Sequence, residues 1–446
     1  MAKAMPRSAL QGVARRVRVV AAIAAMTLGA NVFAIGAVTP AFADDSPPSP
    51  LLAKNKAVDW WFVFKFNSSK PFTGCGANSG ERACPFGGEP LTKENFGQQF
   101  AFASSADPTL QQGTGCLGAQ LTDPVGATFD QVYNGKFFYV IWNDQFYGDP
   151  KVCGKSANCT GSWGHSKGLL AWNDEGEGLV MQVSTPSWPG SGSSLFKRKT
   201  GNTLGCVKSN NNLIASQHFF ALKLTKPDLL KVLKAMQTAS IATSINVPQV
   251  VRNGGPPDVR DAVMALGKTP SSKDKFPIMQ EPLSIKINNK PVVLIAKPSN
   301  VNVPPWQMVS SLLSGVSARA ATWWTKPKIA STLASTTSKC IDKAIKDGAI
   351  KGKAGPVAIA LTGEWKNNAI KLYAPSNHAK IGVATSTKNE RYEIFGDLNQ
   401  QGSLSPPPDC DASQNGRGGM FYVLQEDKLF DSMHDLIEGD TAPAKK

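Results

Sequence analysis

Histidine is scarce in this chain: four residues in 446. The eight cysteines contain no Cys-x-x-Cys pair, so the usual spacing of a structural zinc site is missing. Acidic residues are outnumbered by basic ones, 33 against 48, a balance that favours an anionic partner such as nucleic acid or an acidic surface. One apolar run alone approaches membrane-spanning length, and it lies at the N-terminus, so no second spanning helix is expected. No amphipathic helix or exposed aromatic cluster is evident, so a lipid-facing mouth has no support. The ten tryptophans form no stacking stripe and read as core.

The N-terminal run extends from Val19 to Val38 behind Arg7, Arg15, Arg16 and Arg18. Ala41 and Ala43 follow in an Ala-x-Ala arrangement. This order predicts a secretory signal peptide over residues 1–43, with a secreted or periplasmic product. An uncleaved anchor is the alternative, because the run is long for a signal. The signal carries five positive charges and no acid, which leaves +10 on the rest. The remaining chain, about 400 residues, is long enough for two lobes. All eight cysteines (Cys75, Cys84, Cys116, Cys153, Cys159, Cys206, Cys340 and Cys410) lie beyond the signal. An even count on an exported chain predicts disulfides; Cys75/Cys84 and Cys153/Cys159 are close enough for local bridges, and the connectivity stays open.

Asp59–Phe66 (DWWFVFKF) and Gly135–Asp144 read as strands. GLLAWN and GLVMQVSTP read as a hairpin through the charged turn Asp174–Gly178. Lys226–Ala239 has helical periodicity. Turn formers fill the 250s to the 270s and predict the lobe connection. A hairpin around Asn288-Asn289 and a helical stretch near Ser310–Ala321 follow. Gly355–Gly363, AKIGVATS and RYEIFGDLN read as strands, the last two flanking the turn TKNE, and the C-terminus as an acidic helix. The expected domains are residues 44–249 and 250–446.

Two of the four histidines recur in one pattern. His165-x-Lys167 opens one strand, whose hairpin partner ends at Ser184–Ser187. His378-x-Lys380 opens another, whose partner ends at Gly396–Asn399. The spans are 22 residues to Ser187 and 21 to Asn399, so motif and context repeat together. Along a strand, residues i and i+2 share a face, so each histidine sits beside its lysine. Imidazole can attack phosphorus or move a proton near neutral pH, and an ammonium can neutralise phosphate oxygens. Lysine is not a usual metal ligand, so the pattern does not read as a metal site. Two copies facing each other make one site in which one histidine attacks and the other protonates the leaving oxygen. His218 (SQHFF) and His434 (SMHDL) lack this context: the first reads as packing, the second as part of a polar terminal helix.

At these residues the sequence resembles the deoxyribonuclease II family, within the phospholipase D-like superfamily. DWWFVFK (59–65) resembles the family's opening strand, and HSKGLLAW with GLVMQVSTPSWP its first His-Lys segment and the following turn. NHAKIGV, FGDLNQQ and NGRGGM resemble the second segment and the Gly/Arg-rich close. The landmarks run from Asp59 to about Met420. Ser187 stands where the family commonly has Asn, and Ser240–Lys275 and the tail after Leu424 have no counterpart.

The resemblance implies an α/β, phospholipase D-like pseudodimer of two similar lobes, each a mixed β-sheet flanked by helices. It implies an acid endonuclease that cuts double-stranded DNA without a cofactor or metal, leaving 3′-phosphate and 5′-hydroxyl ends. The catalytic set it carries over is His165, Lys167, His378, Lys380, Asp397 and Asn399. Arg417 is expected to contact the DNA backbone and Ser187 to fill the polar role of the first turn. No stable membrane association is expected, and a homodimer is compatible with enclosing a duplex. The competing readings are a phosphodiesterase acting on lipid head groups and an inactive DNA-binding protein.

Overall fold

The computed structural model describes residues 46–67, 99–118, 121–146, 149–153, 159, 161, 163–186, 215–266, 275–365, 368–386, 390–405 and 409–445. The signal region, Cys75, Cys84, Cys206, Ser187 and most of the TKNE turn lie outside these residues.

Two sheets carry the chain. The first contains β1 (Trp60–Lys65), β2 (Phe100–Ser104), β3 (Gln111–Gln112), β4 (Phe138–Asn143), β5 (Lys167–Trp172), β6 (Gly178–Val183), β7 (Gln217–Leu224) and β8 (Val251–Arg252). Its order is β3-β2-β1-β7-β6-β5-β4-β8. The second contains β9 (Met279–Ile287), β10 (Lys290–Lys297), β11 (Ser317–Ala321), β13 (Val357–Ile359), β16 (Ile381–Thr385), β17 (Arg391–Gly396) and β18 (Gly419–Leu424), in the order β13-β11-β16-β17-β18-β10-β9. Short pairings join β12 (Ser331–Thr332) to β19 (Ala444–Lys445) and β14 (Thr362–Trp365) to β15 (Asn368–Tyr373). The helices are α1 (Pro124–Tyr133), α2 (Pro150–Cys153), α3 (Lys226–Thr238), α4 (Pro257–Leu266), α5 (Pro305–Leu312), α6 (Lys339–Lys346) and α7 (Asp427–Ile437).

The expectation of a mixed sheet in each half needs correction. The first sheet is antiparallel throughout, and the second has one parallel pair, β11 with β13. Only β2–β3 and β5–β6 pair through short connections in the first sheet; β1–β2, β4–β5 and β6–β7 pair antiparallel across much longer ones. Within the sheets one five-strand order recurs: β1-β7-β6-β5-β4 in the first and β10-β18-β17-β16-β11 in the second.

The apolar runs of β1, β5 and β6 are buried on both faces. Alternation decides which layer each residue meets. Trp61 turns to α1, where its Nε1–H donates to Thr128 Oγ1 at 3.2 Å. Its neighbour Phe62 turns to the other sheet and meets Phe395, with ring centroids 4.8 Å apart. Phe220 stacks on the same Phe395 at 4.4 Å. On the far side of the second sheet, Phe421 meets Trp306 of α5 edge-on at 5.8 Å. The sheets thus share one core, with α1 and α5 as outer cover and α3 touching both sheets. Among the described residues, no helix is long and apolar enough to cross a membrane.

Two local expectations differ from the structure. The turn-rich 250s contain α4, whose Val259, Val263 and Leu266 fall at helical spacing and are buried. Pro257 opens that helix, where its missing N–H costs nothing. The stretch Ser310–Ala321 is only the end of α5 and then β11; Ser314 and Gly315, both at positive φ, break it. The Asn288-Asn289 hairpin is as read, with both asparagines at positive φ as a two-residue turn requires. Disulfides join Cys153 to Cys159 and Cys340 to Cys410.

Candidate active site

Each motif begins at the start of the strand next to its sheet's centre. β5 opens at Lys167 and β16 at Ile381, one residue past Lys380. Each motif is held by the other half. The His165 N–H donates to the carbonyl of Gly418, the residue before β18, at 2.8 Å. The His378 N–H donates to the carbonyl of Ser216, the residue before β7, also at 2.8 Å. The interlocking brings the two motifs into one electrostatic field. Lys380 acts on His165, and Lys167 on His378.

His165 is half-buried, and its Nδ1 lies 2.8 Å from the carbonyl oxygen of Asp397. A carbonyl only accepts, so Nδ1 carries the proton and Nε2 is left for chemistry. Burial and then the Lys167 charge hold His165 well below the usual histidine range, with Asp144 opposing. His378 is also half-buried, and its ring lies 5.1 Å from that of Trp323. Burial, Lys380, Lys167 and Lys65 push it down to about 3.

The lysines are buried but differently partnered. Lys167 Nζ lies 2.5 Å from Asp144 Oδ1. Lys380 Nζ donates to the His378 carbonyl, and burial followed by the Lys167 charge lowers it to about 7. Burial alone would raise Asp144; the charges of Lys167, His165 and Arg417 outweigh it and hold the carboxyl well below the usual range.

Asp397 is buried and accepts from Gln182 Nε2 at 3.0 Å and from the Met420 N–H at 2.8 Å. Burial raises it to about 6 against the pull of Ser166, Met420, Lys167 and Gln182. Asn399 is buried as well, and its Oδ1 has no partner among the described residues. Arg417, expected to face phosphate, turns inward. Its Nε donates to the Trp163 carbonyl at 2.6 Å, and its Nη2 reaches Asp144, Cys159 and Gly164. Those contacts make it a tie for the first motif's loop. Ser187 lies outside the described residues.

Several groups escaped the sequence reading. Asp144 follows Asn143, which the β4–β5 register sets opposite Lys167; only the pairing exposes its role. Ser184 takes the position of Asp397 in the first half. Its Oγ accepts the His218 N–H at 2.7 Å, as Asp397 accepts that of Met420. His218 is buried near Phe395 as a packing residue would be, yet both its ring nitrogens are used. Nδ1 accepts from the Lys380 N–H at 3.1 Å, so Nε2 carries the proton and donates to Gln182 Oε1 at 3.3 Å. Gln182 passes the contact on to Asp397. Burial and Lys380 keep His218 neutral by lowering it well below the usual value. Among the described residues, the one group of three ligand-type side chains close enough to share an ion is His434, Asp435 and Glu438, and no motif residue belongs to it.

No curated protein matches this chain in sequence. The sequence profile of the family described as Deoxyribonuclease II matches residues 49–440, which takes in both sheets and both His-x-Lys motifs. The chain therefore belongs to the deoxyribonuclease II family and is a deoxyribonuclease, a hydrolase acting on DNA phosphodiester bonds.

Proposed function

We propose that this protein is an exported, metal-independent acid endonuclease working through a two-histidine mechanism on a phospholipase D-like pseudodimer. The observation that carries the reading is the reciprocal hold: each motif histidine hangs from a carbonyl of the opposite half. The recurring five-strand order supports the pseudodimer. The Cys153–Cys159 and Cys340–Cys410 disulfides are in keeping with export.

His165 is the nucleophile in this reading. Its Nδ1 is tied to the Asp397 carbonyl, and burial with the Lys167 charge disfavours a proton on Nε2. Nε2 attacks phosphorus, the bond from phosphorus to the 5′ oxygen breaks, and His378 gives that oxygen its proton. The 3′ side stays on His165 as a phosphohistidine. Water then attacks phosphorus, His378 takes the water's proton, and the phosphorus–nitrogen bond breaks. The products are a 3′-phosphate and a 5′-hydroxyl end. Lys167 and Lys380 hold the non-bridging oxygens, and the Asn399 side-chain amide donates a hydrogen bond to the substrate. Asp397 orients His165 through its main chain.

Acid dependence follows from the same groups. His378 must start protonated, and its surroundings disfavour that form, so the competent fraction grows as pH falls. Lys380, lowered to about 7, is fully cationic only below neutrality. The deciding experiment is plasmid nicking at pH 5 and pH 7.5 with EDTA throughout, with His165→Ala and His378→Ala alongside. Cleavage at pH 5 that falls by roughly 10²–10⁴-fold in both variants is expected. DNA binding without cleavage by the wild type would favour a binding protein, and neither would favour lipid head groups.

A further inference from the structure

Two buried lysines outside the motifs occupy equivalent places in the two sheets. Lys65 ends β1 opposite Gln217, the first residue of β7. Lys297 ends β10 opposite Gly419, the first residue of β18. Both are fully buried. Lys65 Nζ donates to the carbonyls of Ala215 at 2.7 Å and Phe66 at 3.2 Å. Lys297 Nζ donates to Arg417 at 2.8 Å, to Pro298 at 3.3 Å and to Asn415 at 2.6 Å. In each half the ammonium thus binds the carbonyl two residues before the partner strand, and the carbonyl of its own successor.

The carbonyl one residue further on is the one that holds a motif histidine. Ser216, next to Ala215, accepts from the His378 N–H at 2.8 Å and from the Ala379 N–H at 3.1 Å. Gly418, next to Arg417, accepts from the His165 N–H at 2.8 Å. A buried amine costs free energy, because the solvation of its charge is lost. Burial pushes both lysines down to about 7. An apolar side chain would fill the same space without that cost. The repetition of a costly device at equivalent places argues for a shared task.

We infer that Lys65 and Lys297 are positioning residues: each fixes the carbonyl strap from which the opposite half's histidine hangs. The inference rests on the two-histidine reading above. Lys65 has a second effect. His378 is faced by three cations, Lys380, Lys167 and Lys65, and by the Trp323 ring. Lys297 is not one of the cations that lower His378.

The test compares Lys65→Met and Lys297→Met with His165→Ala and His378→Ala in the full mature chain. DNA affinity, kcat and the pH profile are measured after circular dichroism confirms folding. Both Met variants are expected to lose roughly 10–100-fold in kcat with KM little changed, the size of effect a small misplacement of a reacting group produces. Lys65→Met is also expected to move the alkaline limb of the profile to higher pH, because His378 loses a repelling charge. Lys297→Met is expected to leave that limb in place. A merely structural role would not split the two variants in this way. Wild-type kcat and profile in both Met variants would overturn the inference while the histidine variants stay dead. Activity surviving in His165→Ala or His378→Ala would instead overturn the two-histidine reading. Should the Met variants not fold, amide hydrogen exchange of the wild type decides. The His165 and His378 amides are expected among the slowest to exchange, and exchange within seconds at either would overturn the strap.

Discussion

Replacing Asp144 by Asn tests the electrostatics of the site most directly. The carboxylate is one anion between two cations, 2.5 Å from Lys167 and 3.2 Å from Arg417. Lys167 and Asp144 are almost wholly buried, and the Arg417 side chain is 14% exposed. Solvent therefore screens little, and removing one partner leaves buried charge without compensation, a loss of about 3–5 kcal/mol. Linkage fixes the pH dependence. The folded carboxyl titrates well below its unfolded value, about 3.9, so its contribution is complete above that pH and lost as pH falls through the folded value. The pair is therefore intact at pH 5, where the enzyme is proposed to work. The assay is urea unfolding of wild type and Asp144→Asn at pH 7, 5 and 3. A gap of about 3–5 kcal/mol is expected at pH 7 and 5, narrowing at pH 3. A gap below about 1 kcal/mol at pH 5, typical of an exposed pair, would refute the reasoning, as would one unchanged at pH 3.

Asp397→Asn should behave with the opposite sign. Burial raises that carboxyl to about 6, so the folded state favours the proton, and stability falls as pH rises from the unfolded value through 6. The variant lacks this penalty, so its stability relative to wild type should improve by on the order of 2–3 kcal/mol between pH 4 and 7; matched unfolding curves at the two pH values check it, and a parallel pair would sink it. Gly418→Ala should disturb the strap that holds His165. A Cβ there would lie 2.1 Å from the Ala239 carbonyl oxygen, and neither backbone segment can swing away cheaply. A kcat loss of roughly 10-fold or more is expected, because a shift of the strap misplaces the nucleophile. Single-turnover cleavage measures it, and wild-type rates would show that the contact yields.

Much of the site was legible as local pattern. His165-x-Lys167 and His378-x-Lys380 stand out because histidine is so rare, and two hairpins of nearly equal span surround them. Strands such as Trp60–Lys65 and the Asn288-Asn289 turn follow from apolar runs and from residues that tolerate positive φ. Each of these signals is local, confined to one strand, one turn or one hairpin, which is the range that period and turn chemistry cover. Even Lys65 and Lys297 leave a trace, each ending an apolar strand, WWFVFK and KPVVLIAK.

What that trace could not give is direction. Arg417 looked like a phosphate contact because cations near a basic cleft usually are; packing turned it onto Asp144 and three carbonyls. Asp144, Gln182 and His218 carry no motif, since their partners lie 23, 215 and 162 residues away in sequence at Lys167, Asp397 and Lys380. The sequence by itself determined which groups could do chemistry and on which strands they would sit. Tertiary structure alone decided which half holds which histidine, because a carbonyl has no side-chain signature and its partner is chosen by how the two sheets meet.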